Sequence, residues 1–203
     1  MAAVIPTKGN LLSTKKSLAL ARLGFELLDR KRNILLREIM QLFDEAEKLR
    51  AEIDDTYTQA YTALQNANLT IGICDEIAKA VPVERGLELD ARSVMGVELP
   101  ILRLNASPPA LHYGLSATSS QLDRAYICFD NVKRQTVRLA EMENSIYRLA
   151  TAIRKTGRRA NALKNIIIPR NEAAVKYITD ALDEKEREDY SRLKVIRKRK
   201  SEE

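Results

Sequence analysis

The chain has 203 residues, 31% of them charged, 45% hydrophobic and only 5% aromatic, with no Trp. That hydrophobic share excludes wholesale disorder, and the shortage of large rings argues against a thick core. The net charge of +6 excludes an acidic scaffold but does not by itself imply nucleic acid.

The N-terminus has no basic segment followed by an apolar one, so it does not read as a secretory signal. No window approaches eighteen unbroken apolar residues, so no transmembrane helix is expected. Cys74 and Cys128 are the only cysteines, both in helical-looking sequence. A disulfide between them would be a thin framework for a chain this long, and two small apolar residues in a reducing compartment is the plainer reading.

From about Asn10 to about Lys79 there is no Pro. Leu35, Ile39, Leu42, Ala46, Leu49 and Ile53 follow alternating steps of four and three, a heptad a/d pattern. The beat resumes at Tyr57, Ala60, Leu64, Ala67 and Ile71, after a slip that shifts the supercoil without ending the helix. Upstream, Leu20, Leu23, Leu27 and Leu28 are expected to continue the same stripe. About 70 helical residues would span roughly 105 Å at 1.5 Å each.

The beat stops between about Ala80 and about Ser120, where Pro82, Pro100, Pro108 and Pro109 fall together with Gly86, Gly96 and Gly114. Leu87 to Ala91 alternates, and Ser93 to Leu99 is rich in β-formers, so two short strands or a hairpin are expected. Pro108-Pro109 then breaks any regular element.

Ser120 and Asp123 have capping-box spacing. Behind them runs a second stripe of Val132, Thr136, Leu139, Met142, Ile146, Leu149 and Ile153, continued by Ala160, Leu163 and Ile167. Pro169 predicts a kink, or a break of one turn. Ala174, Tyr177, Ile178, Ala181 and Leu182 restart the face, and Leu193 and Ile196 extend it through a charged tail.

The fold class read from this order is all-α dominated: a long antiparallel two-helix coiled coil with a small central insert containing a short β-hairpin. Residues 1–79 form the first helix, 80–119 the insert, and 120–203 the second helix, interrupted near Pro169. A parallel dimer would use the same stripe, but a reversal point suits short connections between neighbouring helices. Such a pair is a rod, thin and mostly surface.

Charge is uneven. Residues 1–40 carry eight basic and three acidic side chains, 41–104 six and twelve, and 105–203 twenty and thirteen. An antiparallel fold brings both basic ends together. Arg192 to Lys200 is strongly basic, and it reads either as a solvated helix terminus or as a contact for an acidic protein surface, with nucleic acid or lipid the lesser alternatives.

Nothing forms a catalytic set. His112, the only histidine, has no acid or nucleophile arranged beside it, and it reads as a loop contact. There is no His/Cys cluster with zinc spacing and no Gly-rich phosphate loop. Asp54-Asp55 and Asp183-Glu184-Glu186 read as solvated helix charge. Thr156 to Leu163 is rich in small residues. It reads either as a close-approach site with Asn161 setting register and Arg158 and Arg159 binding carboxylates, or as an ordinary charged turn.

Several of these residues also resemble a known family. Lys155 to Leu163, Ile166 to Arg170, Tyr177-Ile178 with Leu182, and Glu184 to Lys194 are similar to the C-terminal helix of the D subunit of V-type (A/V-type) ATPases and ATP synthases. Pro6-Thr7, Leu11-Leu12, Lys15-Lys16, Leu20-Ala21, Gly24, Leu27-Leu28 and Lys31-Arg32 resemble its N-terminal helix. The likeness covers essentially the whole chain and is weakest over the insert. It departs at Lys8, where the family usually has Arg, and at Ala160, where it usually has Val. The first change keeps charge but loses a planar fork of donors, and the second loses bulk.

The resemblance implies a non-catalytic rotor shaft. Its paired terminal helices would enter the hexamer of A and B subunits and couple ATP hydrolysis or synthesis there to ion transport in the membrane ring. The F subunit would bind alongside, and the C subunit, called d in eukaryotes, would join the shaft to the membrane rotor. ATP, ADP and Mg would sit on the A and B subunits and no cofactor on this chain. The implied ring contacts are Lys15, Lys16, Lys31, Arg32, Arg192, Lys194, Arg197 and Lys198. The seam or register positions are Leu35, Ile39, Leu42, Leu49, Ile53, Leu139, Ile146, Ile153 and Asn161. The chain would be a peripheral subunit on the cytoplasmic side of a membrane, of prokaryotic type because the tail is short, and would bind no nucleic acid. A static coiled-coil scaffold, or a basic nucleic-acid-binding hairpin, would share the heptads.

Overall fold

The structure, a computed structural model, describes residues 5–105, 110, 112–114 and 118–200. The elements in order are α1 (Lys8–Ile71), α2 (Asp75–Ala80), β1 (Leu87–Val94), β2 (Val97–Leu104), α3 (Ser120–Ala162), a π-helical turn (Leu163–Ile167) and α4 (Ile168–Lys200). The fold is all-α dominated, built on a long helix pair with one two-stranded antiparallel hairpin. The Pro108-Pro109 break lies outside the described residues.

Helix α1 starts where Thr7 accepts the Asn10 N–H on its hydroxyl, at 3.2 Å, a side-chain N-cap. It ends at Ile71, short of residue 79, because Gly72 takes φ 92° and returns its N–H to the Asn68 carbonyl at 2.9 Å. A left-handed residue there satisfies an orphan carbonyl and stops the helix. Cys74 therefore sits in the turn before α2, not in a helix, and both cysteines are free thiols.

The chain forms two compact units. Unit 1 holds residues 1–33 and 154–203; unit 2 holds residues 34–153. In unit 1, Lys8 pairs with Glu186 at 3.0 Å, Arg22 with Glu172 at 2.6 Å, and Lys164 lies over the Phe25 ring. In unit 2, Arg50 pairs with Glu143 at 2.7 Å, Tyr57 meets Thr136 at 3.3 Å, and Tyr61 stands edge-on to Phe129. In each unit the partner number falls as the α1 number rises, so the helices run antiparallel.

The expected heptad holds in unit 2. Leu35, Ile53, Ala60 and Ala67 are buried, and Ile39, Leu42, Ala46, Leu49 and Leu64 are half-buried. On the facing helix Val132 and Leu149 are buried and Leu139, Met142, Ile146 and Ile153 half-buried, while Thr136 of the expected stripe is exposed. In unit 1 the stripe departs from expectation. Leu20 is 69%, Leu23 53% and Leu27 56% exposed. The seam instead runs through Leu11, Thr14, Leu18, Ala21, Phe25 and Leu28, again in steps of three and four. Two apolar stripes lie on nearly opposite faces of this part of α1. Carrying the register of Leu35 and Ile39 back in sevens, to Leu28, Ala21 and Thr14 and to Phe25, Leu18 and Leu11, selects the one that packs.

The interruption near Pro169 is a π turn. The Ile168 N–H donates to the Leu163 carbonyl, five residues back. One extra residue is absorbed, so Ile168, not Ile167, follows Leu163 on the seam, and Ile167 is 40% exposed. The π turn thereby restores phase, and Ile178 is fully buried beyond it. Leu193 and Ile196, at 64% and 60% exposed, lie off any seam.

The hairpin is longer than the sequence suggested. Its turn, Met95-Gly96, falls inside the stretch read as the second strand. Both turn residues have positive φ, 51° and 74°, the signature of the I′ turn that matches strand twist. Leu99 on β2 is fully buried with Leu35 and Leu149, which moors the sheet to the helix pair of unit 2. The predicted capping box does not form. Asp123 accepts the Tyr113 hydroxyl at 2.7 Å instead of reaching back to Ser120.

Candidate interaction surfaces

Every predicted basic contact residue falls in unit 1. Lys15 and Lys16 are exposed on the first turns of α1, Lys15 beside the groove where Leu11 and Leu12 meet Leu182 and Glu186. Lys31 and Arg32 are half-buried. Arg32 is held by Asp29 one turn back at 2.8 Å, while its Nε is buried without a partner among the described residues. Beyond the Lys8–Glu186 pair, α4 continues from Arg187 to Lys200 with every residue exposed. Arg192, Lys194, Arg197 and Lys198 lie on this stretch, Arg192 pairing with Glu188 at 3.6 Å. Tyr190, Leu193, Val195 and Ile196 are more than half exposed among them.

Sequence reasoning missed the outward stripe. Leu12, Leu20, Leu23 and Leu27 are each more than half exposed on α1, close in sequence to Lys15, Lys16 and Lys31. The signal was present as a second apolar set on the helix face opposite the heptad register of Leu35 and Ile39. An apolar stripe edged with cations is a surface for a partner, since isolated domains bury such stripes.

The seam residues separate. Leu35 and Ile53 are buried; Ile39, Leu42, Leu49, Leu139, Ile146 and Ile153 are half-buried. Asn161 is exposed, and the seam passes through buried Thr156 and Ala160 instead. Of the two readings of Thr156 to Leu163, close approach is not seen at Gly157, where nothing among the described residues lies within 4 Å of a Cβ built there.

In unit 2, Lys133 is shared by Asp130 at 2.8 Å and Glu84 at 3.1 Å, and Asp130 also takes Arg134 at 2.9 Å. Burial pushes Asp130 up, but the bonds from Lys133 and Arg134 outweigh it and hold the carboxyl below its usual range. Lys133 is raised, chiefly by Asp130 and then by Glu84. The Gly86 N–H, and then Lys133, hold Glu84 low. This cluster ties the segment before β1 to α3. His112 is exposed and lines the same groove, with Tyr126 and Phe129. Among the described residues no group of three or more His, Cys, Asp or Glu is placed to hold a metal, and no helix is long and apolar enough to cross a membrane.

A paired-helix chain whose distinctive surfaces are exposed apolar and basic stripes is, in class, a structural component of a larger assembly. The chain belongs to the ATP synthase D-subunit family, a family of central-stalk proteins, whose pattern matches residues 10–198. It is 41% identical over 198 residues to the V-type ATP synthase D subunit of Thermotoga neapolitana, covering 97% of this chain and 98% of that one. It is 40% identical over 199 residues to the A-type ATP synthase D subunit of Thermococcus kodakarensis, covering 96% and 93%. The A-type ATP synthase D subunit of Pyrococcus furiosus is 39% identical over 199 residues, with the same coverage.

Proposed function

We propose that this chain is the non-catalytic rotor of its complex, transmitting torque between the A/B hexamer and an ion-translocating membrane ring. The reading is carried by unit 1, where an antiparallel heptad seam leaves an outer face of exposed leucines edged with lysines. A shaft must carry torque without unwinding, and two wrapped helices resist twist better than one. It must also turn, and shallow stripes of mixed apolar and charged side chains form contacts that can be made and broken repeatedly.

In this reading Lys15, Lys16, Lys31, Arg32, Arg192, Lys194, Arg197 and Lys198 contact the ring, and Leu35 to Ile53 with Leu139 to Ile153 keep the two helices in register. Residues 1–79 and 120–203 are the shaft, and 80–119 is the insert outside the ring. The F subunit lies alongside, and the C subunit, called d in eukaryotes, joins the shaft to the membrane rotor. Nucleotide and Mg belong to the A and B subunits, so the chemistry stays there, and the chain works on the cytoplasmic face. A disulfide engineered between shaft and ring tests this. Oxidation should stop ATP turnover in the complex and reduction should restore it. Undiminished turnover with the cross-link formed would leave a static scaffold as the better reading.

A further inference from the structure

The two edges of the β-hairpin are treated differently. With a two-residue turn at Met95-Gly96, Val94 and Val97 exchange hydrogen bonds, and every second pair does so after them. The alternate residues Leu87, Leu89, Ala91 and Ser93 on β1, and Glu98, Pro100, Leu102 and Leu104 on β2, therefore turn their backbone groups away from the partner strand. On β2 two of these groups are taken up by side chains of α3, and a third position has no donor. The Leu102 N–H donates to Glu141 Oε2 at 2.9 Å, Arg148 donates to the Glu98 carbonyl at 3.1 Å, and Pro100 has no N–H. These are devices by which proteins blunt a sheet edge.

On β1 no side chain from another element bonds an outward backbone group, and no proline interrupts the strand, among the described residues. Residues Leu87 to Ser93 are all exposed. Only the Ala91 N–H is taken up, by its neighbour Asp90 at 2.8 Å. The N–H groups of Leu87, Leu89 and Ser93 have no acceptor among the described residues. The side chains beside this open edge are apolar: Leu87 is 50% and Leu89 74% exposed, facing Leu104 and Leu102 across the hairpin. On the other face, Asp90 is paired with Arg103 and Arg92 with Glu38, while Glu88 has no ion pair among the described residues.

We propose that the outer edge of β1 receives an extended strand from a neighbouring subunit of the complex, adding a third strand to the sheet. The occupant is specified by the edge. It supplies backbone groups to Leu87, Leu89 and Ser93, apolar side chains beside Leu87 and Leu89, and a Lys or Arg opposite Glu88. A helix lacks free backbone groups and cannot satisfy the first requirement. A two-stranded sheet is marginal alone, so a third strand also stabilises the hairpin. The partner's being a component of the rotary complex rests on the function proposed above.

The test is amide hydrogen exchange on the chain alone and in a complex reconstituted from the A and B subunits and the remaining stalk subunits. The Leu87, Leu89 and Ser93 amides should exchange at least about tenfold more slowly in the complex, while Leu102, already bonded, changes little. Leu89→Pro should remove the protection at Leu87 and Ser93. Proline is tolerated by the hairpin at such a position, as Pro100 shows on β2, and protected Asp90 and Arg92 amides would verify that the hairpin remains intact. Rotation driven by ATP is scored separately. A shaft that turns while these three amides stay as open as in the free chain overturns the strand proposal and leaves the rotor standing. Protected amides on a shaft that never turns support the strand and count against the rotor.

Discussion

Burial, the Asp123 carboxylate and Tyr126 push the Tyr113 phenol from 10.0 up to about 12. A raised value in the fold means that the neutral phenol is favoured there. Its contribution to stability is complete below pH 10 and is lost as pH rises toward about 12. Tyr113→Phe should cost about 1 kcal/mol at neutral pH and flatten the alkaline limb of the stability curve, read by denaturant melts. The signs differ for the cluster at Lys133. Asp130 is held low, so its contribution is present above the ordinary carboxylate range and is lost as pH falls through its value in the fold. Lys133 is held high, so its part survives until pH rises through its own. Lys133→Met should cost about 1–2 kcal/mol, discounted because the side chain is a third exposed. In the core, Leu149 is fully buried with Leu35 and Leu99, and Leu149→Ala should cost about 2–5 kcal/mol.

Two elements invite substitutions of opposite sign. Gly157 lies inside α3 with open space at its Cβ position. Gly157→Ala should stabilise the isolated chain by about 0.5–1 kcal/mol, the usual gain in a helix interior, measured by thermal melting. If the same variant weakens binding to the A/B ring, the glycine serves an approach made only in the complex. Gly86 is the reverse case. A Cβ there would stand 2.5 Å from the Asn105 carbonyl oxygen, which closes the hairpin through its own N–H to the Gly86 carbonyl at 2.9 Å. Gly86→Ala should therefore loosen the base of the hairpin, seen as faster exchange at the Asn105 amide. The π turn is an element that no residue pattern announced. Pro169 marked the place, but the extra residue is visible only where the buried position after Leu163 is Ile168.

At the scale of the whole molecule, the exposed run Arg187–Lys200 makes a clear prediction. It contributes no buried residue, so truncation after Glu186 should leave the melting temperature of the isolated chain nearly unchanged. On the rotor reading proposed above, the same truncation should weaken coupling of ATP turnover to rotation in the complex, because it removes the proposed contacts Arg192, Lys194, Arg197 and Lys198 together. Unchanged coupling would move the ring contacts to the leucine stripe of α1.

The heptad in unit 2 and the hairpin were legible in the sequence, because period and turn chemistry are local properties. The D-subunit likeness was legible in the residues of both terminal segments. The seam in unit 1 is written in the same register: steps of seven back from Leu35 and Ile39 reach Leu28, Ala21 and Phe25, while Leu20, Leu23 and Leu27 fall on the far face and stay exposed. Asn161 falls outside the register, which runs from Ile153 to the buried Ala160. The open edge of β1 was beyond the sequence. Glu141 and Arg148 close β2 from a distant part of the chain, and no local pattern records which edge they reach. Local periodicity determined which helix faces pair, while tertiary packing decided where the hairpin docks and which of its edges α3 reaches.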